Sequence, residues 1–148
     1  MPIMRNTLRN LDIYMPGLSV DHVLRCAPGL GREAYRRWIK DGVVTLERPD
    51  KAGDNFNRCA LDVLQASFVH LLSGQGIQPI RAAVVWSLVA RPFILRIAEG
   101  NEPGAFLYVD GSRPCVVDGG GLQNTEAALV LRLGHFTRRV CAQLRTLQ

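Results

Sequence analysis

The chain has 148 residues, 47% of them hydrophobic and 21% charged, so it is long enough to bury a core of its own. Lysine and arginine outnumber aspartate and glutamate by 18 to 13, and the net charge of +5 favours an acidic partner such as nucleic acid. No apolar run approaches the roughly 20 residues that span a bilayer, and residues 1–10 lack the apolar centre of a signal peptide. We therefore expect a cytoplasmic protein that does not enter a membrane.

Two short helices joined by a glycine-containing turn are predicted near the N-terminus. Ser19 is a suitable N-cap for a first helix over residues 19–27, which the Pro-Gly-Leu-Gly sequence at 28–31 ends. A second helix follows and ends before Gly42, with basic residues at helical spacing on one side. This is the helix-turn-helix pattern, in which the second helix reads DNA. The side expected in the core holds Tyr35, Trp38 and Ile39.

A hairpin is predicted directly after the second helix. Residues 43–46 and 56–59 have the composition of short strands, and the polar loop between them contains proline, glycine, aspartate and asparagine. We call residues 43–59 the wing, because a basic hairpin beside a reading helix can lie along a phosphate backbone. A third helix over residues 61–72 and a fourth from about Gln78 should complete this part of the chain.

Seven basic side chains are the expected DNA contacts. Those of the second helix can neutralise phosphates and bond guanine edges, whereas those of the wing should contact the backbone. An ordinary solvated amphipathic helix is the alternative interpretation of the same pattern. The expected contacts are Arg32, Arg36, Arg37 and Lys40 in the second helix, and Arg48, Lys51 and Arg58 in the wing.

Residues 19–89 resemble the winged helix-turn-helix DNA-binding domain of the MerR family. In that family the reading helix has an arginine, an aromatic, a glycine and two aliphatic residues at fixed spacing. Here those positions are Arg36, Trp38, Gly42, Val43 and Val44. The features that normally follow are a wing aromatic, a wing basic residue, an acid opening the third helix and a glycine before the fourth. They correspond to Phe56, Arg58, Asp62 and Gly76.

The resemblance implies sequence-specific binding of a two-fold site on double-stranded DNA by a homodimer. The sequence departs from the family pattern at Arg37, where a second aromatic is usual. It also lacks the cysteine spacing of the family's metal sensors, so metal sensing is not implied. Residues 91–121 indicate strands and turns where the family has a long dimerisation helix, which leaves the mode of dimerisation open.

The pattern beyond Pro92 predicts a different kind of structure. Alternating hydrophobicity and glycine-rich turns favour strands at 93–98, 105–109 and 115–117. Residues 127–133 fit either a fourth strand or the start of a helix, and we favour the strand because Gly134 would interrupt a helix. A C-terminal helix from about His135 to Leu147 should follow. The predicted fold class is α+β: a MerR-like winged helix-turn-helix domain over residues 1–90, then a small antiparallel sheet with a C-terminal helix over 91–148. The second domain is expected to dimerise, or to bind an effector or a partner.

The sequence contains no motif typical of an enzyme or a metal site. Its four cysteines lie far apart without a Cys-x-x-Cys pair, and its three histidines have no partner at motif spacing. The Asp-Gly-Gly-Gly sequence at 118–121 is not a P-loop. We expect no catalytic residues, metal or cofactor, and no motif supports a small-molecule effector. The expected function is transcriptional regulation. The alternative is a protein-interaction adaptor or a mobile-element accessory factor that keeps the winged-helix fold.

Overall fold

The computed structural model describes residues 13–48, 56–98, 106–109, 114–117 and 129–147. Six α-helices and three short strands lie in these ranges. In chain order the elements are α1 (Val20–Cys26), α2 (Arg32–Lys40), α3 (Ala60–Gly74), α4 (Pro79–Val85), a π-helical turn (Trp86–Ala90), α5 (Arg91–Ala98), β1 (Phe106–Val109), β2 (Pro114–Val117), β3 (Leu129–Leu131) and α6 (Leu133–Leu147). None of the described helices is both long and apolar enough to cross a membrane.

Helix α3 is the centre of the fold. Residues 60–69 are all buried, and α1, α4, the π-helical turn and α6 pack against this helix. The ring centroid of Phe68 lies 5.6 Å from that of Trp86 and 6.1 Å from that of Phe136. Because such aromatic contacts bury large apolar areas, they join α3 to both the π-helical turn and α6.

The first four helices form where the sequence predicts them. Ser19 is the N-cap of α1, and its hydroxyl accepts the backbone N–H of His22 while His22 Nδ1 accepts the backbone N–H of Ser19. Histidine thus completes a capping box, in which glutamate or glutamine is usual. Helix α4 has Pro79 in its first turn, where the missing N–H of proline costs no hydrogen bond.

The predicted α+β fold class is wrong. Helices make up 69% of the residues whose side chains are described, so the protein is mostly helical. The strands are confined to three segments of three or four residues, in the order β2-β1-β3 with β1 antiparallel to both neighbours. In register, Tyr108 of β1 lies opposite Cys115 of β2 and Val130 of β3.

Residues 93–98, which we predicted as a strand, form most of helix α5. The proline at position 92 suggested a break, but the chain passes it through the π-helical turn, where the backbone N–H of Arg91 bonds to Trp86 O. This wider turn allows the helical run from 79 to 98 to continue. Phe93, Ile94 and Ile97 are buried, a set that fits the helical period and not the alternation of a strand, in which residues 93 and 94 would face opposite sides.

The predicted wing hairpin is also wrong in the described residues. Residues 43–46 form no strand, and residues 56–59 contain a single bridge, in which Arg58 pairs with Leu18 through two backbone hydrogen bonds of 2.9 Å. Val43, Val44 and Leu46 instead turn into the core, so their apolar character serves burial rather than strand pairing. The polar loop at 49–55 lies outside the described residues.

The C-terminal helix shares a core with the N-terminal ones. It begins at Leu133, so Gly134 lies within its first turn and does not interrupt it. Phe136, Val140 and Leu144 form its buried face, and they belong to the same cluster of core residues as Tyr35 of α2. The domain boundary expected after residue 90 falls within the continuous helical run over 79–98.

Candidate nucleic-acid interface

The turn between α1 and α2 is tied to α3. Ser67 Oγ donates to Cys26 O at 3.1 Å, and His70 Nε2 lies 2.8 Å from Pro28 O. The turn closes with Leu30 N bonded to Ala27 O at 3.0 Å, and Gly29 adopts a φ of 92°, which only glycine reaches without strain. These contacts fix where α2 begins relative to the rest of the molecule.

Helix α2 ends in a Schellman motif, as its glycine predicts. Gly42 has a φ of 76°, and its N–H bonds to Ile39 O at 3.3 Å, while the N–H of Val43 bonds to Trp38 O at 2.9 Å. Both are the bonds that satisfy the last carbonyls of a helix. Because Val43 is buried, the motif directs the chain from α2 straight into the core.

Tyr35 fixes the inner side of α2. Its side chain is fully buried, and the guanidinium carbon of Arg58 lies 6.0 Å from the centre of its ring. Burial raises the pKa of the Tyr35 hydroxyl, and the nearby Arg58 charge opposes that rise. Trp38 and Ile39, which we also expected in the core, are partly buried against it.

Arg58 is not the surface DNA contact that we predicted. The residue is only 5% exposed and packs behind α2, on the ring of Tyr35. The bridge to Leu18 places its backbone beside the start of α1. Arg58 therefore supports the position of α2 from within the fold.

The outer side of α2 is exposed and carries most of the predicted contacts. Three cations, Arg36, Arg37 and Lys40, surround a shallow depression that Glu33 and Asp41 also line. Three positive and two negative side chains leave this surface cationic by one charge. Its guanidinium groups are open to a ligand as large as duplex DNA, because no described element covers them.

Arg32 lies at the edge of that surface and is paired. Its Nη2 bonds to Asp21 Oδ1, which joins the start of α2 to the first turn of α1. The two side chains are exposed, and an exposed pair of this kind contributes about 1 kcal/mol at most. Arg32 also lines a cleft that extends to Arg25 of α1 and to Leu147 at the end of α6.

The remaining two predicted contacts belong to the wing. Arg48 is exposed, and its carbonyl accepts a hydrogen bond from Asn57 Nδ2 at 3.0 Å. That bond connects the two ends of the polar loop. Lys51 lies outside the described residues.

Polar contacts from α3 and α5 hold the segment that follows α2. Asp62 Oδ1 accepts Glu47 N at 2.9 Å, and its Oδ2 accepts Cys59 N at 3.0 Å. The Glu47 carboxylate receives two bonds from Arg91, at 3.1 and 3.2 Å, and this contact raises the pKa of Arg91. The Gln65 amide pairs with both backbone groups of Thr45 when its nitrogen faces the carbonyl, at 2.9 and 3.2 Å.

The sequence predicts only part of these polar contacts. Asp62 was recognisable as an acid at the start of a helix, but its second bond, to Glu47, links residues that no local pattern connects. The pairing of Glu47 with Arg91 spans 44 positions and has no sequence signal. Burial outweighs the hydrogen bonds and raises the pKa of the Asp62 carboxyl.

Three cysteines are buried as unpaired thiols. Burial raises the pKa of Cys26 to about 11, and it raises the pKa values of Cys59 and Cys141 to about 12. These thiols stay protonated near neutral pH, and a protonated thiol is a poor nucleophile and metal ligand. In the part of the chain that the structure describes, no three histidine, cysteine or acidic residues are grouped to hold a metal ion.

No protein-family model and no curated protein sequence matches this chain. The resemblance to the MerR family therefore depends on the residues quoted for it, chiefly Arg36, Trp38 and Gly42. Of these, Gly42 has the left-handed backbone and Arg36 the exposed position that a reading helix needs. Membership of the family stays a prediction.

Proposed function

We propose that this protein is a sequence-specific transcriptional regulator that binds double-stranded DNA through α2. One observation carries the proposal: α2 displays Arg36, Arg37 and Lys40 to solvent, while buried Tyr35 fixes its opposite side. A short helix held in this way behind a helix-turn-helix turn has the size to enter a major groove. Its exposed cations would then contact DNA instead of water.

Each exposed cation has a role that suits its chemistry. The planar guanidinium groups of Arg36 and Arg37 can make paired hydrogen bonds to the O6 and N7 atoms of guanine. Two cations are proposed phosphate contacts: Lys40, a compact charge at the end of the helix, and Arg48, in the segment that follows it. Arg32 can exchange its exposed bond to Asp21 for a phosphate at small cost.

We propose that the protein acts as a homodimer in the cytoplasm. Helix-turn-helix proteins gain affinity when a two-fold dimer holds two half-sites one helical turn apart. A single short α2 reaches the edges of few base pairs, so a second copy adds to the discrimination between sequences.

An adaptor that binds another protein is the second candidate, and one observation favours it. Ile80, Val84 and Leu88 recur every four residues along α4 and the π-helical turn, and they are 63%, 51% and 70% exposed. Exposed aliphatic side chains at this spacing are typical of a helix that packs against a partner.

Selection of bound sequences from a random duplex library at physiological salt tests the first proposal. The mass of the protein in solution is measured alongside. Enrichment of a two-fold motif by a dimer is the expected result. Failure to enrich any sequence would overturn the proposal. Retention of a protein partner at high salt would then favour the adaptor, because apolar contacts are far less sensitive to salt than phosphate contacts.

A further inference from the structure

An exposed aliphatic stripe runs along α4 and the π-helical turn. We call Ile80, Val84 and Leu88 the α4 stripe, and their side chains are 63%, 51% and 70% exposed. In the same two elements, Ala82 and Trp86 are buried on the side that packs against α3. The α4 stripe is therefore a second apolar face, on a helix whose first apolar face is already covered.

The π-helical turn keeps the three side chains of the α4 stripe in line. Along an α-helix of 3.6 residues per turn, each step of four residues drifts to one side of the helix. The turn at Trp86–Ala90 has more residues per turn, because its hydrogen bonds reach one residue further, and it reduces the drift between Val84 and Leu88. Leu88 remains on the same face and is the most exposed of the three.

The α4 stripe is self-complementary under a two-fold axis. In a contact between two identical surfaces, each residue meets the residue that is placed symmetrically on the second copy. An axis through Val84, perpendicular to the helix, makes the two helices antiparallel. Val84 then faces Val84 of the second copy, and Ile80 faces Leu88. Because all three side chains are aliphatic, each position of the stripe meets an apolar side chain.

The charges beside the α4 stripe are compatible with the same arrangement. Residues 63–98 contain no acidic residue, so a pair of copies must keep its cations apart. About this axis, Arg81 faces Ser87 of the second copy, which is exposed and uncharged. Arg91, the next cation along the helical run, is neutralised by its two bonds to the Glu47 carboxylate. The antiparallel arrangement therefore places no cation opposite another.

We propose that the α4 stripe binds the α4 stripe of a second copy, antiparallel about Val84. The inference rests on the homodimer of the proposed function and supplies its contact surface. A different protein is the alternative occupant, but such a partner would need neither the two-fold symmetry of the stripe nor the separation of its cations.

The small size of the α4 stripe determines how the dimer should behave. Three aliphatic side chains from each copy make a contact well below the standard interface of about 1,600 Å². The dimer should therefore dissociate on dilution when DNA is absent. Two half-sites on one duplex would hold the copies together, because they raise the effective concentration of one copy near the other.

Charge exchange at Val84 tests the proposal. Val84→Glu places two carboxylates at the axis, and Val84→Lys places two ammonium groups there. Because like charges in contact are unfavourable by several kcal/mol, each variant alone should raise the dissociation constant of the dimer by at least about tenfold. An equal mixture of the two variants should restore the dimer, since opposite charges then meet at the axis. Sedimentation equilibrium without DNA measures the mass over a series of protein concentrations.

Phe56→Glu is the matched control. Phe56 is 61% exposed, but it lies in the cleft beside α1 that Leu147 also lines. Its replacement should leave the dissociation constant of the dimer unchanged. The thermal midpoint of each variant shows whether it is folded. Should the charged variants unfold, Leu88→Ser, at the most exposed position of the α4 stripe, should also weaken the dimer.

The outcomes separate this inference from the proposed function. A dimer that persists in Val84→Glu, or charged variants that stay monomeric when mixed, would overturn the α4 contact. Selection of a DNA sequence by the wild type would still leave α2 as the reading helix. A wild type that is monomeric at every concentration would also overturn the inference, and loss of a bound protein in Val84→Glu would then assign the stripe to that partner. If no sequence is selected but the charge exchange succeeds, the proposed function fails and the dimer contact stands.

Discussion

Arg36 occupies the middle of the exposed side of α2, four residues after Arg32 and four before Lys40. The neighbours on either side differ in what they can do, since Arg32 is paired with Asp21 and Lys40 ends the helix. A guanidinium in the middle of a helix that enters the major groove is the one best placed to meet a base edge. Arg36 should therefore set sequence preference, and Lys40 should set affinity.

Arg36→Ala and Lys40→Ala test this division of roles. Removal of a paired guanine bond should cost about 1–3 kcal/mol on the selected site and relax preference at one base position. Lys40→Ala should weaken the selected and scrambled duplexes by the same factor, because phosphates carry no sequence. The measurement is binding to a panel of single-base variants of the site. Equal decreases in affinity on every duplex for both alanine variants would contradict the roles.

Asp62 is a buried carboxylate with three donors. Its oxygens accept the backbone N–H groups of Glu47 and Cys59, and Cys59 Sγ lies 3.3 Å from Oδ2. Asp62→Asn puts an NH2 group against one of these N–H groups and should destabilise the fold by about 1–3 kcal/mol. Urea unfolding measures the change, with Asp41→Asn as an exposed control of the same chemistry. A urea midpoint for Asp62→Asn as high as that of Asp41→Asn would contradict the role of Asp62.

The same carboxyl gives the stability a pH dependence. Burial raises the pKa of Asp62 in the folded state, so the folded protein keeps this proton to a higher pH than the unfolded chain does. Its contribution is therefore fully present below the unfolded pKa and is lost as pH rises through the folded pKa. Urea unfolding at several pH values should show the wild type losing stability relative to Asp62→Asn across this window. A relative gain with rising pH would show that the N–H bonds outweigh burial.

At the scale of elements, local signals predicted α1 to α4 and α6, whereas long-range contacts decided the rest. Ser19, Gly42 and Pro79 mark ends of α1, α2 and α4, because capping depends on the residue at the end itself. The predicted hairpin does not form because Asp62 and Gln65 of α3 bond the backbone groups of Glu47 and Thr45, and no local pattern connects these positions. The π-helical turn, which carries the helix past Pro92, likewise has no sequence signal. For the site, the pattern predicted the exposed cations of α2 but not the inward turn of Arg58.

Gly42 is the residue on which the end of α2 depends. An added Cβ meets no atom within 4 Å, but the φ of 76° is strained for any other residue. Gly42→Ala should therefore destabilise the protein by about 1–2 kcal/mol. Gly74→Ala is the matched control, since Gly74 also has open space but lies in helix α3, where alanine is favoured by up to about 1 kcal/mol. The midpoint of thermal unfolding should fall for Gly42→Ala and rise for Gly74→Ala. A shift of both midpoints in the same direction would contradict this account.

At the scale of the whole molecule, the described residues on both sides of position 90 contribute to one core. Phe136 of α6 contacts Phe68 of α3, and Phe93 and Ile97 of α5 are buried in the same cluster as Leu18 and Tyr35. The exposed cations of α2 and the helix α6 are therefore attached to one packed unit.

Leu144→Ala tests whether the core is shared. Leu144 is fully buried in α6, and its truncation should cost about 2–5 kcal/mol. If residues 13–98 and α6 unfold together, the slowest-exchanging amides of α3 should lose as much protection against hydrogen exchange as those of α6. Leu147→Ala, at the partly buried end of the same helix, should cause a smaller loss of exchange protection in both α3 and α6. Loss of protection in α6 alone would show that the C-terminal helix unfolds separately from the N-terminal helices.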